Sequence, residues 1–144
     1  MILIIEFRKI DLQPLRELFL SERQRTFAEQ DTSEFKLEDF DKQTQGEYIL
    51  TAFLDDVPVG FISIWMPNSF IHHLYVAAPF QGKNIGTELV KAAVKKTKFP
   101  ITLKCLETNT KAIEFYIKKG FTEKSRGYSG SGTYILFELM KEIV

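Results

Sequence analysis

Between Phe70 and Leu106 the hydrophobic period of the chain switches twice, and few folds accommodate such a switch. Phe70 to Val76 reads as a short strand after the turn Pro67-Asn68-Ser69, and Ala77-Ala78-Pro79-Phe80 closes it. Thr87 to Lys98 then carries Leu89, Val90, Ala93 and Val94 on one helical face and lysines on the other. Pro100 breaks that helix, and Ile101 to Leu106 is a second short strand. Strand, glycine-containing loop, helix and strand in this order predict a βαβ crossover with two parallel strands in one sheet.

The flanking segments extend the sheet. Tyr48 to Leu54 and Val57 to Trp65 are apolar runs rich in β-formers, separated by Asp55-Asp56, so they read as a hairpin and join Phe70 to Val76 in a meander. Residues 2 to 8 read as an opening strand. Asp11 then precedes Leu12, Leu15, Leu18 and Phe19 at helical spacing, with Pro14 tolerated in the first turn. A shorter helix is expected from Ser33, as N-cap, to Phe40. Downstream, Asn109 to Lys119 carries the stripe Ala112, Ile113, Tyr116 and Ile117 and stops at Gly120. Phe121 to Lys124 and Thr133 to Met140 close the chain as strands, with the glycine-rich residues 127–132 expected as a mobile loop between them. The order β-α-α-β-β-β-α-β-α-β-β predicts a mixed α/β fold: one twisted sheet of about six or seven strands with about four helices on its two faces.

At 144 residues the chain is expected to form one domain, 1–144. Its 44% hydrophobic and 26% charged residues exclude disordered and fibrous classes. The apolar run Met1 to Ile5 ends at Glu6, Arg8 and Lys9, short of a secretory or membrane segment, and the single Cys105 has no partner for a disulfide or a metal site. The expectation is a cytoplasmic chain with no membrane and no metal. Zero net charge hides an asymmetry: residues 1–60 hold 13 acids and 7 bases, residues 61–144 hold 6 and 12. That favours a phosphate-bearing ligand on the C-terminal half and a cationic substrate on the N-terminal half, and it is not the uniform basic patch of a nucleic-acid binder.

Gln81-Gly82-Lys83-Asn84-Ile85-Gly86-Thr87 lies between the third meander strand and its helix. A turn of this kind aims unpartnered backbone N–H groups and the positive end of the helix dipole at one point, where an anion binds. Two glycines four apart are, alone, more often a simple turn. Another phosphate ligand, a nucleotide, would call for a Gly-Lys-Ser/Thr ending or a ribose-binding acid, and Ile85-Gly86-Thr87 has no such lysine.

With Leu74-Tyr75-Val76 and Pro79 before this loop, Leu89 after it, and Asn109, Ala112, Phe115-Tyr116 and Lys119-Gly120-Phe121 further on, the chain resembles the GCN5-related N-acetyltransferase (GNAT) superfamily over roughly residues 48 to 140. The resemblance implies the GNAT fold and an N-acetyltransferase that moves an acetyl group from acetyl-CoA to a primary amine by direct attack in a ternary complex. It implies that Gln81, Gly82, Lys83, Asn84, Ile85, Gly86 and Thr87 hold the cofactor phosphates. It implies also that the backbone of Leu74 and Val76 bonds the pantetheine arm where that strand splays from the Ile101 strand, that Asn109 contacts the cofactor, and that Tyr116 is the general acid at the sulfur. The family's motif is Arg or Gln, two residues, Gly, one residue, then Gly or Ala; Asn84 stands at its first glycine. Asparagine tolerates a left-handed backbone, so the loop is expected to keep its shape, and the alternative left open is a catalytically weak or inactive CoA-binding regulatory module.

Acyl transfer from a thioester needs a neutral amine, a donor for the oxyanion and an acid for the thiolate. His72 and His73 are neighbours on a strand and are expected to point to opposite faces, so that one reaches the site. His72, in phase with Leu74 and Val76, is the better candidate for the base, with His73 and water as alternatives. Acceptor recognition is expected from the first helices, the hairpin and residues 127–132, including Arg23, Arg25, Glu29, Asp31, Glu34 and Trp65. Nothing among them separates a small-molecule amine from a protein amine. Homodimers are common in the superfamily, and no residue here specifies one.

Overall fold

The computed structural model describes residues 1–141. Its strands are β1 (Ile2–Glu6), β2 (Tyr48–Leu54), β3 (Val57–Trp65), β4 (Phe70–Val76), β5 (Ile101–Leu106), β6 (Thr122–Ser129) and β7 (Gly132–Leu139); its helices are α1 (Leu12–Thr26), α2 (Asp39–Gln43), α3 (Ile85–Lys96) and α4 (Thr110–Lys118). The strands form one mixed sheet in the order β1-β2-β3-β4-β5-β7-β6, in which β4 and β5 run parallel and their neighbours antiparallel. The crossover read from residues 70–106 is therefore present, with β4 and β5 ending within a residue of the expected bounds. Asp55 and Asp56 both take positive φ, 50° and 67°, as a two-residue hairpin turn requires.

Apolar periodicity decides which face each element buries. The stripe Ile85, Leu89, Val90, Ala93 and Val94 seats α3 on one face of the sheet, against Leu50, Ile62, Ile64, Leu103 and Phe137, and α4 adds Tyr116 to the same cluster. On the other face Leu15, Leu18 and Phe19 of α1 and Phe40 of α2 meet Ile49 and Phe61. Phe19 packs edge-on to both Phe40 and Phe61, at centroid distances of 6.0 and 5.9 Å. Each such fully buried side chain contributes about 1.5–3 kcal/mol through the water it displaces.

The feature that positions the site is a bulge. Across β3 and β4, Ile64 pairs with Ile71 and Ser63 with His73, so His72 has no residue opposite it. A bulge bends its strand. Here β4 pairs with β5 only through Phe70–Thr102 and Ile71–Leu103 and then parts from it, leaving Leu74 to Val76 open on the β5 side.

Three expectations fail. The helix does not run from Ser33 to Phe40 but from Asp39 to Gln43. Asp31 accepts the Ser33 N–H and Asp39 the Lys36 N–H, local bonds that hold the preceding segment in turns instead of helix. Nor are residues 127–132 a loop: β6 and β7 run almost into each other and leave only Gly130-Ser131 between them. Gly127 lies opposite Tyr134, whose ring fills the space that a Cβ would need, so this glycine accommodates a cross-strand aromatic. β1 also ends at Glu6, two residues short of the expected bound.

Candidate functional site

On the α3 side of β4 the site is built from backbone. A short turn over Ala78–Phe80 leads from the strand into the loop, and the Gln81 side-chain amide donates to the Val76 carbonyl at 2.9 Å, tying the loop to the strand end. Gly82 turns with φ of 82° and Asn84 with φ of 66°, so Asn84 does hold the left-handed conformation. The Glu88 N–H bonds the Asn84 carbonyl, which leaves the N–H groups of Ile85, Gly86 and Thr87 as the open first turn of α3. A Cβ on Gly86 would lie 3.3 Å from Cζ of Phe115, so the small residue lets α4 approach α3 closely. Around Gly82 a Cβ would meet nothing within 4 Å; its requirement is conformational.

Asn109 is the N-cap of α4, its Oδ1 accepting the Ala112 N–H at 3.3 Å. Tyr116 lies about two helical turns further on, edge-on to Phe115 at 5.3 Å and Phe121 at 5.5 Å. Burial, with Cys105 and Tyr75 nearby, pushes its phenol well above the ordinary range, so it keeps its proton. Tyr75 belongs to the opposite face of β4, where it packs with the cluster of Phe19 and Phe61.

On the α1 side the site is built from side chains, and here the bulge reverses an expectation. Instead of pointing oppositely, His72 and His73 share a face, their rings stacked with centroids 3.9 Å apart. Leu74 and Val76 face the α3 cluster, while His73 touches Phe19 and Tyr75 on the α1 face, so His72 is out of phase with Leu74 and Val76. His72 Nδ1 lies 2.7 Å from Oε2 of Glu47, the His72 side chain being 39% exposed and that of Glu47 only 6%. A carboxylate there accepts the Nδ1–H and leaves the Nε2 lone pair free. Glu47 Oε1 and His73 Nε2 are both buried without a hydrogen-bond partner. Burial foremost, then the charges of His72 and Arg23, holds the His73 ring at a pKa of about 3, hence neutral.

Glu47 is the residue that sequence reasoning misses. It follows Gly46, whose φ of 79° turns the chain from α2 into β2 against the Trp65 ring, and no local pattern marks it. Its only signal is register: Tyr48 pairs with Ile64, which sets Glu47 beside the β3–β4 bulge. Arg23 is not free for a substrate carboxylate. Its guanidinium lies between the Phe19 and Phe35 rings, 4.3 and 4.2 Å from their centroids, and pairs with Asp39 at 2.8 Å. Arg25 reaches Glu22 at 3.7 Å, Asp31 is used in its local turn, and Glu29 and Glu34 are exposed away from these contacts. Trp65 is partly exposed over Gly46. A cavity of about 630 Å³ beside α4, walled by Ile113, Ile117, Phe121, Ile135 and Phe137, takes in none of the site groups. Among the described residues no helix is long and apolar enough to cross a membrane.

The sequence matches the model of the acetyltransferase (GNAT) family over residues 12–121. It is 35% identical over 80 residues to an uncharacterized N-acetyltransferase of Methanocaldococcus jannaschii; the aligned stretch is 46% of this chain, and the chain spans about a third (35%) of that relative's length. The fold is similar to that of the PaiA N-acetyltransferase from Thermoplasma acidophilum in complex with coenzyme A, at a TM-score of 0.78, 23% identity and coverage of 98% of this chain and 99% of that one. It is similar also to that of Arabidopsis thaliana Naa50 in complex with the bisubstrate analogue CoA-Ac-MVNAL, at a TM-score of 0.73, 19% identity and coverage of 97% and 99%.

Proposed function

Because the chain belongs to the acetyltransferase (GNAT) family, we propose that it transfers an acetyl group from acetyl-CoA to a primary amine by direct attack in a ternary complex. The observation that carries this reading is the parting of β4 from β5 directly ahead of an open helix N-terminus. An extended amide chain can add to the free edge at Leu74 and Val76 as a strand would, and a pyrophosphate suits the N–H groups of Gly82 to Thr87 and the charge of Lys83. The left-handed Asn84 keeps the loop in the form that such a ligand needs, which speaks against a module that has lost its cofactor. The Thermoplasma protein of like fold, crystallised with coenzyme A, supports the choice of ligand.

The remaining roles fall to the two faces of β4. His72 takes a proton from the attacking amine through Nε2, with Glu47 fixing the tautomer and the ring orientation. Tyr116 offers its O–H to the departing sulfur. A thiolate is a weaker base than so strongly perturbed a phenolate, so this contact acts as a hydrogen bond and full proton transfer is left to solvent. Asn109 contributes mainly by starting α4, which carries Tyr116. The acceptor, a small molecule or a protein amine, approaches from the α1–α2 side, where acidic residues predominate. The reaction is placed in the cytoplasm, where a free thiol such as Cys105 persists, and the whole of 1–144 serves as one catalytic domain. A panel of amines assayed with acetyl-CoA by thiol release tests the reading: acetyl-dependent release with at least one amine is expected, and none with any amine or acyl-CoA overturns it.

A further inference from the structure

A second property of the acceptor side follows from the atoms that its catalytic role leaves idle. Glu47 is nine-tenths buried, yet Oε1 has no partner, and the same holds for Nε2 of His73 a short distance away. A lone pair shut away from water without a donor is costly, and two in one pocket indicate a group that both can hold. One carboxylate oxygen and one nitrogen from each imidazole of Glu47, His72 and His73 lie within 4.8 Å of one another.

We infer that Glu47, His72 and His73 form a binding site for a divalent transition-metal ion of zinc-like chemistry, and that the ion competes with acetyl transfer. Two imidazoles and a carboxylate are a borderline donor set that suits Zn²⁺ and Co²⁺ and disfavours Mg²⁺ and Ca²⁺. An ion about 2.0–2.2 Å from each donor in tetrahedral geometry sets the donors about 3.3–3.6 Å apart, so the widest pair closes by roughly an ångström, within reach of side-chain rotation. Among the described residues Arg23 is a cation whose charge reaches the His73 ring, and its pairing with Asp39 at 2.8 Å offsets the repulsion. Glu22, the other charge nearby, is engaged by the Ala78 N–H at 3.1 Å and by Arg25.

Occupation changes the tautomer of His72. When its Nδ1 coordinates the ion, the proton it donates to Glu47 moves through water to Nε2; no net proton is released and nothing is oxidised. Nε2 then carries a hydrogen in place of the lone pair that accepts the amine's proton. This consequence rests on the acetyltransferase reading; the binding itself does not.

The test is made on the intact chain, in two arms. Without acyl-CoA, Zn²⁺ affinity is measured by competition with a chromophoric chelator, and Co²⁺ is added to record its ligand-field bands. One ion per chain with nitrogen-ligated Co²⁺ bands is expected, with affinity about tenfold or more weaker in Glu47→Gln and in His73→Phe. Absence of Co²⁺ bands in the unmodified chain overturns the site whether or not the variants fold. Unchanged affinity in both variants, each with a cooperative melt, overturns it as well. In the second arm Zn²⁺ lowers acetyl transfer and a chelator restores it; a bound ion that leaves the rate untouched overturns the competition. Binding without transfer under any condition supports the site and sinks the acetyltransferase reading instead.

Discussion

The two faces of β4 solve different problems with different materials. Towards α3 and α4 the recognition groups are main-chain: the open edge at Leu74 and Val76 and the N–H groups at the start of α3. Towards α1 and α2 they are side chains: His72, His73 and Glu47, held by packing on Phe19 and by one 2.7 Å contact. A backbone site tolerates replacement of residues as long as φ and ψ survive, which is why Asn84 can stand where the motif has glycine. A side-chain site tolerates little, because each atom has one role.

If this contrast is right, substitutions on the α1 side cost more than comparable ones on the loop. The largest effect is expected for His72→Ala, which should lower kcat by about 10²–10⁴-fold, the usual worth of a positioned base. Glu47→Gln should lower it less, by about tenfold, since the amide can still accept the Nδ1–H but carries no charge; steady-state assays of the two variants rank them. Tyr116→Phe removes one donor and is expected to reduce kcat by about 10–10²-fold while the KM for acetyl-CoA changes little, as for a contact made chiefly in the transition state. A fall in affinity with kcat intact would move Tyr116 from the chemistry to cofactor packing.

On the loop, Gly82→Ala forces a residue with a Cβ to a φ of 82° and should cost about 1–2 kcal/mol of stability, read from thermal unfolding. Asn84→Gly should change both stability and acetyl-CoA affinity least, within about 1 kcal/mol. A large gain in affinity would mean that the asparagine side chain obstructs the phosphates. Cys105, on β5 next to the opening, separates direct attack from a covalent route. Burial lifts its thiol to about 11, so below that pH it stays protonated and a poor nucleophile, and Cys105→Ser should leave the rate nearly unchanged. A burst of covalent acetyl-enzyme in the unmodified chain would contradict direct attack.

The same contrast explains what was legible in the sequence. β4 and β5 show in apolar runs bounded by turns, the stripe of α3 in its period, and the left-handed loop in Gly82 and Asn84, because each depends on residues close in the chain. The pairing of His72 with Glu47 depends on residues 25 apart and on a bulge set by the β3–β4 register. Strict alternation puts the histidines on opposite faces; one unpaired residue suffices to bring them together. In the same way Gly127 read as flexibility when its missing side chain serves the ring of Tyr134, a neighbour across the sheet. In the segment before α2 the acids satisfy the backbone locally in turns, and composition alone does not separate a helix start from a chain of such turns.

The most direct test of the central claim, that the parted strands and the α3 N-terminus receive acetyl-CoA, is thermal unfolding with and without ligand. At about a hundred times its dissociation constant the cofactor should stabilise the native chain by about 2.7 kcal/mol and raise Tm by about 5–10 °C, while ATP and NAD leave it unchanged. An unmoved Tm with every acyl-CoA, or an equal rise with ATP, would contradict the account.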